Sequence, residues 1–443
     1  MKFKRACAAF LSAVTVLLLA VPGALSARAI DSPPDVVANA AMMVNIETGQ
    51  LMYEKNTAVL VAPASTVKIM TGLLALENIP DLTVQITAQA DAVNQTYGNN
   101  MALSVGEVLT AKDLIYALLI DGDNDAANVL AQYLSPSGSI GDFVAMMNKK
   151  AQDLGMGDTH YTNPTGMDDP SMVTTAADMM KLAQYAFKNN TFMDITSAVS
   201  YTIPPTSVSP ERPLYNRNYM VSTALVNAYY YVNTRGMNAG STAEGGYCVI
   251  GTTAKSGLTY LYVIMGSTAV QSPTTGLYSF NSYVDAGKLL DWAFASYALR
   301  TVISTEDVID EAPVSLSMNT DHVTLVPQTD IIAMLAVDVD LQNDITRDIQ
   351  LSSEKLVAPI KKGDVLGVLN VSYQGQPLGS TPLVAQSDVE SSSMLVLLNN
   401  ISNITHTEWF IASIIAFVVI SICYLLARRI RSKGATERRR LKF

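Results

Sequence analysis

The sequence predicts an α/β (α+β) domain over residues 30–300, a small all-β domain over 301–388 and a single transmembrane helix over 409–427. Three observations predict this order. Up to about Leu299, apolar residues recur at helical spacing in several segments, with short strand-like apolar runs between them. Beyond Thr301 the helical spacing stops, and short β-prone runs alternate with polar turns. From Trp409 to Ala427 nineteen residues pass without a charge, enough for a helix to cross a hydrocarbon core of about 30 Å.

In chain order, Lys2, Lys4 and Arg5 precede an apolar run from Ala8 to Val21 and a small-residue stretch from Ala24 to Ala29. That layout is a secretory signal peptide over 1–29, with cleavage expected after Ser26 or Ala29. Ala40 to Glu47 reads as a strand, turning at Asn45–Gln50 into Leu51-Met52-Tyr53, a hairpin. Thr66 to Glu77 reads as an amphipathic helix that Pro80 forbids to continue. Further helices are expected at Ala111–Leu119, Ala126–Tyr133, Ile140–Leu154 and Ala176–Lys188. Tyr247–Gly251 and Thr259–Gly266 read as adjacent strands around a Ser256-Gly257 turn. In the all-β domain, runs such as His322–Val326, Ile331–Val339 and Val365–Tyr373 carry the strand pattern. Residues 389–408 are rich in Ser and Asn and read as a linker to the membrane. Trp409 and Tyr424 sit near the ends of the apolar span, at the level of the two interfaces. Arg428, Arg429, Arg431, Lys433 and further basic residues follow in a tail over 428–443, which the positive-inside rule keeps cytoplasmic.

Charge and cysteine usage exclude several functions. The formal net charge is −10 although both ends are basic, so the expected exported part carries about −20. Such a surface repels nucleic acid and anionic lipid. Cys7 falls in the signal and Cys423 in the anchor, leaving Cys248 alone outside. Neither an internal disulfide framework nor a cysteine zinc site can then form. Metal sites and organic cofactors are not expected.

The chemistry lies in Ala62-Pro63-Ala64-Ser65-Thr66-Val67-Lys68. A serine and a lysine three apart on a helix face the same way, one turn apart. A lysine kept neutral by burial can take the serine's proton, so the pair can serve for acyl transfer where other enzymes use histidine. The bare tetrapeptide is equally compatible with a solvated helix face. Only three histidines occur, His160, His322 and His406, and the last two lie in the all-β domain and the linker. A Ser–His–Asp site would depend on His160 alone.

Residues 63 to 77, Pro-Ala-Ser-Thr-Val-Lys-Ile-Met-Thr-Gly-Leu-Leu-Ala-Leu-Glu, closely resemble the first motif of the low-molecular-weight penicillin-binding proteins, the serine-type D-Ala-D-Ala carboxypeptidases of peptidase family S11. The likeness continues in Gly106–Leu119, in Asn124-Asp125-Ala126-Ala127-Asn128 and in Asn163–Asp169, where Thr165 stands at a usual histidine. Ala358–Asp364 resembles the C-terminal domain of the carboxypeptidase branch. The resemblance implies a penicillin-binding/β-lactamase-like transpeptidase fold. It implies Ser65 as nucleophile, Lys68 as general base and Asn124 as a third catalytic residue. Substrate binding would fall to Asn238, Gly240 and Gly122. The implied substrate is the peptidoglycan stem peptide, with β-lactams as acylating inhibitors. The implied location is a cell membrane, single-pass, with the catalytic domain extracytoplasmic.

The sequence departs from the family pattern at two motifs. Gly122 stands at the serine of the second motif, while Asn238 and Ala239 stand at the lysine and threonine of the third. The lysine attracts the substrate's terminal carboxylate in the family. Losing one charge-assisted contact costs on the order of 2–4 kcal/mol, a factor of roughly 30 to 1,000 in rate. A second reading follows: a catalytically impaired homologue that binds stem peptides or a cell-wall partner. Arg235 would replace the lost charge only if a bulge turned it round.

Overall fold

The computed structural model describes residues 32–274 and 276–440, so the segment read as a signal peptide lies outside the described residues. The described chain divides into two compact units, one running to Leu299 and including Met334–Asp338, the other holding the rest.

The first unit is built on a five-stranded antiparallel sheet. Its strands are β1 (Ala40–Asn45), β2 (Leu51–Lys55), β3 (Thr234–Thr242), β4 (Gly246–Lys255) and β5 (Leu258–Ser267), in the order β2-β1-β5-β4-β3. Strand β5 reads Leu-Thr-Tyr-Leu-Tyr-Val-Ile-Met-Gly-Ser, apolar almost throughout, because it is central and covered on both faces. Successive side chains of a strand point to opposite faces. Leu261, Val263 and Met265 accordingly join one core, and Tyr260, Tyr262 and Ile264 another. The second core is closed by the helix Asn281–Ser296 through Ala286, Leu289, Leu290 and Ala293. That helix and Asn190–Thr196 were not among the helices the spacing predicts.

The first core surrounds helix α1 (Lys68–Asn78), in which every residue from Lys68 to Ala75 is buried. Two expectations change at this point. The helix is buried all round from Lys68 to Ala75 rather than amphipathic, and it begins at Lys68 rather than Thr66, because Ala64–Val67 forms a tighter 3-10 turn. Its end at Ile79 agrees with the block set by Pro80. The helix expected at Ala111–Leu119 also differs. Thr110 and Asp113 cap its start reciprocally, the α-helix stops at Tyr116, and Ala117–Asp121 widens into a π-turn closed by Gly122 at φ +78°. Such insertions recur at functional sites and have no periodic signature. Helix α2 (Asn124–Leu134) follows, and Ile140–Asp153 and Ala176–Phe187 lie where the spacing predicts.

One buried ion pair ties the loops around this core. Glu107 is fully buried and accepts from Arg212 at 2.7 and 2.9 Å, from Thr206 Oγ1 at 2.8 Å and from the Ser104 amide at 3.1 Å. Arg212→Met would strand that carboxylate, and a loss of about 3–5 kcal/mol is expected, read as a lowered urea midpoint.

The second unit holds a six-stranded sheet in the order 345–351, 365–373, 376–385, 322–327, 310–315 and 356–357. The stretch read as a linker is not one throughout: Ser393–Thr405 is a helix, started by the Ser392 hydroxyl accepting from the Leu395 amide. Met394, Leu397, Leu398, Ile401 and Ile404 recur on one side of it, a periodicity diluted by the Ser and Asn residues between them. A last helix runs from Glu408 to Arg440, past the end expected at Ala427. Its segment Glu408–Arg429 is long and apolar enough to cross a membrane.

Candidate active site

Ser65 sits in the 3-10 turn just before α1, and Lys68 is the first residue of α1. The tighter turn still brings them together, with Lys68 Nζ 3.4 Å from Ser65 Oγ. Lys68 is only 1% exposed. Its ammonium donates to the Thr165 carbonyl oxygen at 2.6 Å. The loop carrying that carbonyl is fixed by Asn163, whose Oδ1 accepts from the Thr165 amide, the Thr165 hydroxyl and the Gly166 amide at 3.2, 2.8 and 2.8 Å. Thr71 of α1 donates to the Pro164 carbonyl at 2.7 Å and locks loop to helix. The backbone of Thr165, not its side chain, meets Lys68, so the absent histidine removes no contact to that amine.

Glycines make the close approaches. Gly166 lies at φ +84°, and a Cβ there would fall on the Ala64 carbonyl and 3.0 Å from Ser65 Cα. A Cβ on Gly240 would stand 2.5 Å from Ser65 Cβ and 2.9 Å from Oγ, so strand β3 passes directly against the serine. Ala64 itself is held at φ +49°, a left-handed conformation unusual for alanine.

Burial sets the electrostatics. It pulls the Lys68 ammonium down to about 7, against the opposing pull of Asp123. Asp123 is fully buried, and burial, reinforced by Asp121 and Asp125, pushes its carboxyl up to about 8. Its Oδ1 accepts from Asn99 Nδ2 at 3.0 Å, while its Oδ2 has no partner among the described residues. Each group favours the other's charged form, yet desolvation dominates both. A lysine that loses its proton near neutrality is a competent base.

A cleft of about 360 Å³ opens over Ser65, with Gly122, Ala239, Gly240 and Ser241 among its lining residues. Asn124 and Asn238 are buried and not among those lining residues. Asn124 Nδ2 donates to the Tyr97 carbonyl at 2.6 Å. The Oδ1 atoms of Asn124 and Asn238 have no partner among the described residues. Six positions therefore divide as follows: Ser65 and Lys68 are paired, Gly122 and Gly240 line the cleft, and Asn124 and Asn238 sit in its buried surround. Arg235 does not enter it. Strand β3 shifts register between Arg235 and Met237, but the guanidinium pairs with Asp194 at 2.9 Å on the surface.

The spacing rules overlooked Arg217, which does line the cleft. Buried asparagines hold its loop: Asn216 Nδ2 donates to the carbonyls of Thr196 and Ala198, and Asn218 Oδ1 accepts from the Met220 amide. The only trace in sequence is an arginine between two asparagines, and a loop's destination has no period to reveal it.

A helix-packed antiparallel sheet with a Ser–Lys pair at the start of its central helix defines a serine peptidase of the penicillin-binding class. A family model described as D-alanyl-D-alanine carboxypeptidase matches residues 27–269, and one described as the C-terminal domain of penicillin-binding protein 5 matches 297–391. The chain belongs to the D-alanyl-D-alanine carboxypeptidase family, peptidase S11. It is 26% identical to the D-alanyl-D-alanine carboxypeptidase DacF of Bacillus subtilis, over 82% of this chain and 88% of that one. It is 31% identical to the D-alanyl-D-alanine carboxypeptidase DacB2 of Mycobacterium tuberculosis, over 59% and 84%. The crystal structure of penicillin-binding protein 5 from Haemophilus influenzae shares the fold, at a TM-score of 0.57 and 24% identity over 82% of this chain and all of that one.

Proposed function

We propose that this chain is an exported, membrane-tethered D-Ala-D-Ala carboxypeptidase that removes the terminal D-Ala of peptidoglycan stem pentapeptides through an acyl-enzyme on Ser65. The observation that carries this reading is the buried Lys68 ammonium 3.4 Å from the Ser65 hydroxyl, at the edge of an open cleft. Neutral Lys68 takes the proton as Ser65 Oγ attacks the carbonyl carbon of the penultimate D-Ala. The tetrahedral oxyanion is met by backbone N–H groups, those of Ser65 and of the residue after Gly240. The C–N bond then breaks, D-Ala leaves carrying the proton from Lys68, and water hydrolyses the ester with Lys68 again as base. Asn124 has only its Oδ1 left to orient the amine, because its Nδ2 is held by the Tyr97 carbonyl. The same serine would be acylated by β-lactams.

The segment Glu408–Arg429 serves in this reading as the anchor, with the basic residues beyond it on the cytoplasmic side and residues 30–388 outside the membrane. The test is D-Ala released from a synthetic stem pentapeptide by the detergent-solubilised full chain, together with the mass of the Ser65-bearing peptide after exposure to a penicillin. Release of D-Ala and an adduct on that peptide are expected. Absence of both would leave the impaired, binding-only homologue.

A further inference from the structure

We propose that Arg217 is the residue that recognises the substrate's terminal carboxylate, a specificity role resting on the carboxypeptidase reading above. Binding a free carboxylate beside a nucleophile calls for a fixed cation or a set of donors aimed at it. By resemblance this contact falls at position 238, but Asn238 is a buried neutral amide outside the cleft lining. Arg235 points away and is engaged with Asp194. Among the described residues lining the cleft, Arg217 is the only lysine or arginine, and it shares that lining with Ser65.

Its posture suits the task. The guanidinium is half-exposed, and its Nε donates to Asp121 Oδ1 at 2.8 Å. A guanidinium carries five N–H donors, so a bond through Nε leaves both terminal nitrogens to form a two-pronged contact with a carboxylate. Asp121 thereby fixes the plane of the fork. The backbone under it is pinned as well, because the Arg217 amide donates to the Ile120 carbonyl at 2.9 Å and its carbonyl accepts from Tyr283 Oη at 3.1 Å. Ile120 and Asp121 belong to the π-turn that Gly122 closes, so the irregular turn and the loop of Arg217 are one assembly. Tyr219, Phe280 and Tyr283 line the cleft and pack together, with ring centroids 5.4 to 6.4 Å apart. Such an aromatic wall displaces water and strengthens a charge-assisted hydrogen bond beside it.

The experiment compares two stem pentapeptides, one ending in a free carboxylate and the other in a C-terminal amide, on the detergent-solubilised full chain. The wild type is expected to favour the acid in kcat/KM by roughly 30- to 1,000-fold, the rate equivalent of one charge-assisted contact. In Arg217→Gln that ratio should collapse towards one, while Arg217→Lys should keep part of it, because a point charge replaces a fork. A wild type indifferent to the amide, or an Arg217→Gln variant that slows both peptides equally, would overturn the assignment. Binding of the two peptides to Ser65→Ala, measured by calorimetry, separates this claim from the catalytic one. Acid-selective binding that vanishes in Ser65→Ala/Arg217→Gln upholds Arg217 even if the wild type turns nothing over. Equal binding of both peptides refutes it even if Ser65 proves to be the nucleophile.

Discussion

Lys68→Met is expected to slow acylation of Ser65 by about 10⁴-fold or more, the scale on which losing a catalytic base disables a nucleophile that acts as a unit with it. Methionine nearly matches the lysine stem in volume, so the packing of α1 should survive and only the amine is lost. Single-turnover acylation by a chromogenic β-lactam, followed in the full chain, is the measurement. Within tenfold of wild type, the variant would show that another group takes the proton.

The wild type should reveal the same base through pH. Burial lowers the Lys68 ammonium to about 7, and only the deprotonated amine can accept from Ser65. Acylation should therefore rise as pH climbs through about 7 and fall roughly tenfold per unit below it. Asp123 pulls in the opposite direction to burial, favouring the charged lysine. Because the Asp123 carboxyl is itself raised to about 8, it is largely neutral where Lys68 titrates, so Asp123→Asn is expected to leave the midpoint near 7 and to change the plateau instead.

The second large effect belongs to a residue with no side chain. Gly166→Ala would place a Cβ on the Ala64 carbonyl and close against Ser65 Cα, in a backbone held at φ +84°. The left-handed conformation costs about 1–2 kcal/mol for an L-residue, and forced overpacking a further 1–3 kcal/mol. The relief available is to push the 163–167 loop away, which withdraws the Thr165 carbonyl from Lys68 and frees the turn before Ser65. A loss of at least 100-fold in acylation is expected, with a fall in Tm of several degrees by calorimetry. A variant with wild-type acylation would mean that the loop does not position the pair. Gly49, by contrast, has open space around it, and a Cβ there meets nothing within 4 Å.

The elements that could be read without the structure were those whose cause is local. The hairpin at Ala40–Lys55, the helices near 140 and 176 and the long strands around Ser256-Gly257 declare themselves by period or by turn residues. The Ser65-x-x-Lys68 spacing placed two side chains together on the same grounds, and the separation came through even though the first turn is 3-10 rather than α. The π-turn before Gly122 was not legible, because one extra residue in a helical turn leaves the apolar pattern almost intact. The helix Ser393–Thr405 was missed for a related reason: composition pointed to a linker while a sparse period pointed to a helix.

By itself, then, the sequence determined the candidate pair Ser65 and Lys68, the all-β domain after it and the apolar segment near the C-terminus, since each rests on residues close together in the chain. Only the tertiary structure decided how deeply Lys68 is buried and what stands opposite the pair. Burial of Lys68 needs the whole core around α1, the carbonyl of Thr165 arrives from 97 residues away, and Gly240 reaches Ser65 across the sheet. That Arg217 lines the cleft while Asn238 is buried outside that lining likewise depends on the loop of Arg217 meeting the π-turn at Ile120 and Asp121 in space. Charge and desolvation depend on every neighbour within several ångströms, and most of those neighbours are distant in sequence.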